Sequence, residues 1–332
     1  MPGNYYLVDC IFQSYFVTND NGGVVKFEVD IHFVSEYCSY YKCYVAATFI
    51  GGAIYISTTS NGGVALNKIC AYDVIGGDAL ARRGQFAIIS TSSSKINIIE
   101  NSAISFCCNT SSAFNSNKYS STYQNNGRIR FDYNNISKNT CRQHSGIAFS
   151  NQIELYVRFC TFSSNIAIDH ITLTVEGGSN VRNITYCNFH NNSNIGTGNF
   201  GMIHVASSIV FISQSVFRNI TNFIFTTASS TINIVDCWIS HQSTIASGAL
   251  INIINPLGST ITHYLTHLST GLCETQQYEE VSGLGIPPTP PQSLPPPPTE
   301  CVYPPSENSG ITSILNVLQF IYYSAFMVLI NK

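Results

Sequence analysis

Short runs of alternating apolar and polar residues recur along the chain up to about residue 272, and Gly, Asn and Ser separate them. One class of run follows a polar turn and covers residues 152–157, 180–184, 208–212 and 231–235. A second class follows a glycine or a polar residue and covers residues 51–56, 145–149, 170–175, 201–205 and 247–253. Period-2 alternation with one apolar side is typical of a strand that buries one face. The pattern therefore predicts many short β-strands.

A third recurring motif consists of a small residue, any residue and a large apolar residue, often with Asn three positions later. It is clearest from Cys160 to Asn165 and from Cys187 to Asn192. Other copies are centred on Ile136, Phe217 and Ile239, and weaker ones begin at Cys10, Cys43 and Cys70. The large apolar residues from Ile136 to Ile239 are 26, 27, 28 and 22 positions apart, and Cys43 and Cys70 are 27 apart. The chain therefore repeats with a period of roughly two dozen residues.

One such period, here called a rung, holds about three short strands, which is the organisation of a β-solenoid. A single rung cannot bury its own apolar side, whereas rungs stacked about 4.8 Å apart enclose a common core between parallel sheets. We predict an all-β fold, a right-handed parallel β-helix (β-solenoid), over residues 1–272. A leucine-rich repeat is excluded because leucine does not recur at fixed offsets.

Equivalent side chains of successive rungs should stack. We expect Phe162, Phe189 and Phe217 to form an internal aromatic stack. Asn165 and Asn192 are expected at turns, because Asn tolerates a left-handed backbone and its amide can bond to the neighbouring rungs.

Cys160 and Cys187 should be vertical neighbours in this arrangement. Their spacing fits a disulfide, but reduced cysteines also fill cores as small apolar groups. We favour the reduced pair and keep the disulfide as the alternative.

The composition excludes several classes of function. Charged residues make up only 10% of the chain and the net charge is −3, without a basic patch that would indicate nucleic-acid binding. Twelve cysteines are present, but no C-x-x-C pair or Cys/His cluster has metal-site spacing. We expect no cofactor and no metal site.

A proline-rich segment follows the repeats, since residues 285–305 contain ten of the twelve prolines. Such a segment favours an extended polyproline II rod, and we predict a stalk over residues 273–310. A ligand for SH3 or WW domains is the alternative.

The last apolar run predicts a transmembrane helix over residues 311–330 and a cytoplasmic tail at residues 331–332. Lys332 and the acidic residues of the stalk place the β-helix outside the cell by the positive-inside rule. A buried core helix is the alternative for the run, and a GPI signal lacks its polar spacer. The N-terminus has no signal-peptide pattern, so either the chain is a fragment or the C-terminal helix directs insertion.

The candidate modification sites are five N-x-[ST] sequons. They are Asn109, Asn135, Asn183, Asn191 and Asn219. They support a secretory route only weakly, because sequons also arise by chance in a chain rich in Asn and Ser.

No catalytic residues are predicted. A polysaccharide lyase or hydrolase on this fold needs clustered carboxylates, and none of the eight aspartates is adjacent to another or two positions from it. Asp169-His170 is the one acid–histidine pair in sequence, and we expect it at a corner of a rung. Arg82-Arg83 and the pair Arg128 and Arg130 are expected to be solvated surface charges.

The segment Gly51-Gly-Ala-Ile and the Phe-x-x-Asn copies at Phe162 and Phe189 resemble the short repeats of chlamydial polymorphic outer membrane proteins. They look still more like the related large families of trichomonad protists. The resemblance covers about residues 1–270 and the C-terminal layout. It implies a β-helix ectodomain, a single C-terminal transmembrane helix and an adhesin-like role at the cell surface. The full GGAI repeat occurs once, with weakened forms at Gly22-Gly23 and Ser247-Gly248.

The sequence thus predicts a non-enzymatic, single-pass plasma-membrane protein that binds host or cell-surface glycans or proteins. One alternative is a polysaccharide-active β-helix enzyme. Another is a structural coat protein or truncated family member without a specific ligand.

Overall fold

The computed structural model describes residues 3–46, 48–58, 60–77, 84–107, 120–167, 172–178, 180–195, 201–220, 224–240, 250–259 and 263. Within these residues the regular elements are strands, numbered β1 to β32 in chain order, and all their pairings are parallel. Most strands belong to one of three long sheets, and a complete rung among the described residues contributes one strand to each sheet.

Sheet 1 contains ten of the described strands in the order of the chain. They are β1 (Gly3–Val8), β5 (Ile31–Glu36), β9 (Gly63–Asn67), β12 (Ile96–Glu100), β15 (Arg128–Asp132), β19 (Glu154–Arg158), β23 (Val181–Thr185), β27 (Ile209–Ser213), β30 (Thr231–Val235) and β32 (Leu250–Ile254).

Sheet 2 contains nine described strands and carries the small-x-large motif. They are β2 (Ile11–Gln13), β6 (Ser39–Tyr41), β10 (Cys70–Tyr72), β13 (Ala103–Ser105), β16 (Asn135–Ser137), β20 (Thr161–Ser163), β24 (Asn188–His190), β28 (Val216–Arg218) and β31 (Trp238–Ile239).

Sheet 3 contains eight described strands and closes the rung. They are β4 (Val25–Phe27), β8 (Ile54–Ser57), β11 (Ala87–Ser90), β14 (Thr122–Asn125), β18 (Ile147–Ser150), β22 (Leu173–Glu176), β26 (Ile203–Ala206) and β29 (Phe225–Ala228). Between sheets 2 and 3 lie the two-residue strands β3 (Phe16–Val17), β7 (Tyr44–Val45), β17 (Thr140–Cys141), β21 (Ile166–Ala167) and β25 (Ser193–Asn194).

The predicted parallel β-solenoid is therefore confirmed for the described residues. Alternation places every second side chain inside, as in β19, where Leu155 and Val157 are buried while Tyr156 is exposed. The inward side chains of the rungs together form one continuous hydrophobic core. This is the expected solution for strands that cannot bury an apolar face alone.

The predicted phenylalanine stack is also confirmed. Phe162 is in register with Phe189, and Phe189 with Phe217. Both pairs have ring centroids 4.9 Å apart and planes within 4°. All three rings are fully buried, so the stack forms a spine inside sheet 2.

Asn165 and Asn192 form the predicted hydrogen bonds to neighbouring rungs, but their backbone does not have the predicted left-handed conformation. We call this stack of asparagines the asparagine ladder. Asn165 donates through Nδ2 to the Ile136 carbonyl at 2.8 Å and to Asn192 Oδ1 at 3.0 Å. However, the left-handed residue is the one before it, Ser164 with φ of 53°, and Asn191 plays that part before Asn192. The predicted left-handed conformation of Asn165 and Asn192 is therefore wrong, because the turn points these amides inward, where they bond to adjacent rungs.

The pair Cys160 and Cys187 is reduced, as favoured. Cys160 and Cys187 are buried and not disulfide-bonded, and the Cys160 thiol donates to the carbonyls of Phe131 and Arg158, each at 3.2 Å. Equivalent positions hold serine or asparagine in other rungs, such as Ser102. A polar side chain at this position can donate to a nearby carbonyl, whereas the equivalent residue in the rung before Ser102 is the buried Ile69. Cys70, in contrast, forms a disulfide.

Two sequence alignments between rungs prove wrong. Cys43 is not equivalent to Cys70, because Cys70 pairs in register with Ser39 while Cys43 follows the next corner. Residues 247–253 are predicted to belong to the second class of run, whose other members lie in sheet 3. However, β32 pairs with β30 in sheet 1. The matching Ile-Asn-Ile triplets at 232–234 and 251–253 set this register. The N-terminal rungs are also longer than predicted, for example 33 residues from Cys70 to Ala103.

The stalk, the transmembrane helix and the tail, at residues 273–332, lie outside the described residues. Among the residues that are described, no helix is long and apolar enough to cross a membrane.

Candidate functional site

The corner between sheets 1 and 2 presents the most unusual surface side chains of the described rungs. At this corner the chain turns within one left-handed residue, followed by an inward small residue such as Cys160. Most rungs place a polar residue there, but three successive rungs place Tyr133, Phe159 and Tyr186. We call these three residues the aromatic corner.

The three rings stack along the axis of the solenoid. Tyr133 and Phe159 have centroids 4.8 Å apart and planes within 11°, and Phe159 and Tyr186 are 5.1 Å apart and within 6°. Tyr133 is 45% exposed and Tyr186 37%, while Phe159 between them is half-buried. This stack is therefore an outward counterpart of the phenylalanine spine inside sheet 2.

The backbone of the aromatic corner is costly. Tyr133, Phe159 and Tyr186 have φ of 57°, 54° and 55°. A bulky residue with positive φ is a genuine outlier and costs roughly 1–2 kcal/mol, whereas Asn101 occupies the same corner one rung earlier at little cost. Backbone outliers that the fold enforces are a reason to look for function at the site.

Hydrogen bonds between rungs hold the corner in this conformation. The amide of Tyr133 donates to the Arg158 carbonyl at 2.9 Å, and that of Phe159 donates to the Thr185 carbonyl at 3.2 Å. The backbone amide of each left-handed residue thus donates a hydrogen bond to a carbonyl of the next rung. The positions of the rings are therefore set by the rigid stack of rungs rather than by a loop.

The two ends of the aromatic stack differ. Beyond Tyr186, the imidazole of His263 contacts the tyrosine ring edge-on, with centroids 5.7 Å apart. Before Tyr133, the amide of Asn101 is directed to Asn67 Oδ1 at 3.0 Å. Tyr133 is 45% exposed, and this exposed surface is what a ligand can reach.

A charged ladder runs beside the aromatic corner along the last positions of the sheet 1 strands. Glu100, Asp132 and Arg158 occupy this column in successive rungs. Arg158 donates to both carboxylate oxygens of Asp132, at 3.0 and 2.6 Å, and Arg130 lies 3.3 Å from the same carboxylate. The Asp132 side chain is almost fully buried, and this bidentate pair holds Arg158, whose guanidinium lies over the Tyr156 ring at 5.5 Å from its centroid.

Glu100 is the ladder member with a perturbed acidity. Its pKa is raised, mainly by burial and also by the neighbouring Asp132, while Arg130 at 3.9 Å opposes the shift. The register places Glu100 directly beside Asp132. Two carboxylates 32 positions apart in sequence are therefore neighbours, because the register of β12 and β15 brings them together.

The sequons differ widely in accessibility. Asn191 and Asn219 are exposed, Asn183 is half-buried, and Asn135 is buried with its Oδ1 shielded. The amide of Asn219 donates to Asn191 Oδ1 at 3.2 Å, so these two side chains stand next to each other. Asn109 is outside the described part of the chain.

Other predicted positions are distributed as follows. Arg128 forms an exposed ion pair with Glu154 at 3.8 Å, as expected for a surface charge, whereas Arg130 joins the charged ladder. Asp169-His170 and Arg82-Arg83 are not among the described residues. Those residues contain no group of three or more metal-ligating side chains.

A cleft of about 490 Å³ opens at a different corner, between sheets 3 and 1. Serines 207, 208, 229 and 230 line it together with Ile209 and Leu250. These side chains offer hydroxyls and apolar surface but no titratable group. The cleft therefore offers less chemistry than the aromatic corner, which has charged side chains beside it.

The aromatic corner was not found from the sequence. Its residues lie 26 and 27 positions apart, with the same spacing as the phenylalanine spine, and each precedes the small residue of the motif. That repeated spacing could have indicated the stack. However, the sequence does not show whether a residue just before the motif points into the core or to the surface until the conformation of the turn is known. Comparison with protein-family models, with curated proteins and with solved structures finds no significant match to this chain.

Proposed function

We propose that this protein is a non-enzymatic binding module that recognises glycans through the aromatic corner. The observation that carries the proposal is the exposed stack of Tyr133, Phe159 and Tyr186, whose backbone is held in an unfavourable conformation. A fold that keeps three bulky residues in this conformation in successive rungs does so at a cost in stability that asparagine would reduce.

The chemistry of the aromatic corner suits a sugar. Tyrosine combines a large apolar ring with a hydroxyl, and a pyranose has an apolar C–H face and a rim of hydroxyls. The exposed surface of Tyr133 can pack on a sugar ring while the nearby Glu100 and Arg130 accept and donate hydrogen bonds. Since Arg158 is already paired with Asp132, the site has no uncommitted strong cation that would demand an acidic ligand.

We also propose the location of the module. The proline-rich residues 273–310 would hold a right-handed β-helix away from the plasma membrane, and residues 311–330 would anchor it with the C-terminus in the cytoplasm. The sequence pattern and the resemblance to polymorphic outer membrane proteins support this layout and an adhesin-like role. Antibody labelling of intact cells tests it, because a tag before residue 3 should be accessible while a tag after Lys332 should require permeabilisation.

Glycan binding is tested with the full chain in mild detergent on an array of neutral and acidic glycans. The triple variant Tyr133→Asn, Phe159→Asn and Tyr186→Asn removes the rings but keeps residues that tolerate the left-handed backbone, as Asn101 shows. We expect at least a roughly tenfold loss of affinity, since aromatic residues dominate most binding sites.

The matched control is Tyr37→Asn. Tyr37 occupies the same corner with φ of 54° and 37% exposure, but Lys68 covers its ring and no aromatic residue of the described rungs stacks on it. This change should leave binding intact. Absence of binding to every glycan, or equal binding by the triple variant, would overturn the proposal and favour a coat protein without a specific ligand.

The alternative function is a polysaccharide-active enzyme, and the neighbouring carboxylates Glu100 and Asp132 are the observation that favours it. This pair meets the first requirement of glycoside hydrolysis, which is two carboxylates near one bond. Release of reducing or unsaturated sugars that disappears in Glu100→Gln would establish it. We favour binding because Arg158 and Arg130 already engage Asp132.

A further inference from the structure

A fully buried arginine lies in the core of the solenoid. Arg182 of β23 occupies an inward position, in register with the buried Leu155, and its side chain has no exposed surface. Its Nη2 donates to the carbonyls of Gln152 and Gly177, both at 2.9 Å. No carboxylate of the described residues forms an ion pair with it, and burial lowers its pKa from the ordinary value.

The surroundings of Arg182 contain several polar atoms without partners. The Nε and Nη1 atoms of Arg182 and the Nε2 and Oε1 atoms of Gln152 are buried and make no hydrogen bond within the structure. Buried polar groups are almost always hydrogen-bonded, and exceptions point to an ion or a water that completes the site. Three of these four atoms are donors.

The backbone is shaped to accept the guanidinium. Gly178 has φ of 84°, and a Cβ at this position would lie 1.8 Å from Nη2 of Arg182. A glycine is therefore required beside Arg182. This fit indicates that the buried position of the arginine is built into the rung.

The buried positive charge of Arg182 indicates the class of ligand. Water can complete hydrogen bonds but cannot neutralise a cation, and an ion in the core costs several kcal/mol unless an opposite charge compensates it. Arg182 and Gln152 stand on adjacent rungs that the bond from Nη2 to the Gln152 carbonyl joins, and no carboxylate of the described residues forms an ion pair with Arg182. We propose that Arg182 and Gln152 bind a small inorganic anion of the halide type inside the solenoid.

Thermal unfolding of the full chain tests the site. In sodium chloride, compared with sodium gluconate at the same ionic strength, wild-type protein should show a saturable rise in Tm of about 2–4 °C, because a ligand bound only to the folded state stabilises it. Arg182→Met should lose this response. It should also be more stable than the wild type in gluconate, because it buries no charge.

Two further measurements keep the proposal falsifiable if Arg182→Met does not fold. Crystals of the wild type grown in bromide should show an anomalous peak within hydrogen-bonding distance of Arg182 Nε. Gly178→Ala, which displaces the guanidinium, should remove the chloride response. A water molecule at the site in saturating bromide, or equal chloride responses in the wild type and the folded variants, would overturn the proposal.

Discussion

Replacement of Asn165 by alanine should destabilise the solenoid far more than the small change in side-chain volume suggests. Asn165 is fully buried and connects three rungs. Its Oδ1 accepts from the Asn139 amide at 3.1 Å, and its Nδ2 donates to the Ile136 carbonyl at 2.8 Å. Alanine leaves both backbone groups buried without these partners, at about 1–3 kcal/mol each, so we expect a loss of about 2–6 kcal/mol.

The matched control is Asn233→Ala. Asn233 also stands in an asparagine ladder, where its Oδ1 accepts from the Asn252 amide at 2.9 Å, but this ladder is on the outer, exposed face of sheet 1. Water can replace the bond there, so the stability should change by no more than about 0.5 kcal/mol.

Urea unfolding followed by circular dichroism gives the global loss, and hydrogen exchange gives the local one. Exchange is needed because long repeat proteins can unfold in parts rather than in one step. The backbone amide of Asn139 should lose its protection from hydrogen exchange in Asn165→Ala. The same amide should remain protected in Asn233→Ala. Equal stabilities of the two variants, or an unchanged Asn139 amide, would refute the reasoning.

Three more predictions follow from particular contacts. Phe189→Ala should cost about 3–5 kcal/mol in urea unfolding because the ring is buried between two others, whereas Phe159→Asn should change stability by only about 1 kcal/mol, since lost stacking offsets relieved strain. Iodoacetamide at mildly alkaline pH should label the half-exposed Cys10 before Cys160, whose thiol pKa is raised by burial, as read by peptide mass mapping. Glu100→Gln should stabilise the protein by about 1 kcal/mol or less near pH 7, and the gain should vanish in acid.

The sign of the Glu100 effect follows from its raised pKa. Protonated Glu100 is favoured in the folded state, so its contribution is fully present in acid and is lost as the pH rises through its folded pKa. Urea midpoints of both proteins across this range measure it. A Glu100→Gln variant that is less stable than the wild type near pH 7 would contradict this account. For the other two predictions, similar losses in Phe189→Ala and Phe159→Asn, or equal labelling of Cys10 and Cys160 before unfolding, would do the same.

The fold could be predicted because inward side chains repeat with the rung. Phe162, Phe189 and Phe217 are identical residues at nearly constant spacing. A large apolar side chain in a strand is stabilised by burial in the core, so the repeat indicates their position. The same logic failed where the rungs change length. Cys43 and Cys70 have a plausible spacing but lie after different corners, because insertions in the N-terminal rungs altered the period.

The candidate site could not be predicted, because it depends on turns and on register. Tyr133 and Phe159 are just two aromatic residues in the sequence, and only the left-handed corner turns both outward and stacks them. Glu100 and Asp132 likewise become neighbours only through the pairing of β12 with β15.

The sequence by itself determined that this chain forms a stack of short parallel strands, since period-2 alternation and the recurring motif each identify one face to be buried. Tertiary structure decided which strands are neighbours, which residues take the left-handed turns, and hence which side chains meet on the surface. The physical reason is that burial acts on each residue separately and is visible in a local pattern. Contacts between rungs depend instead on the length of every loop between them.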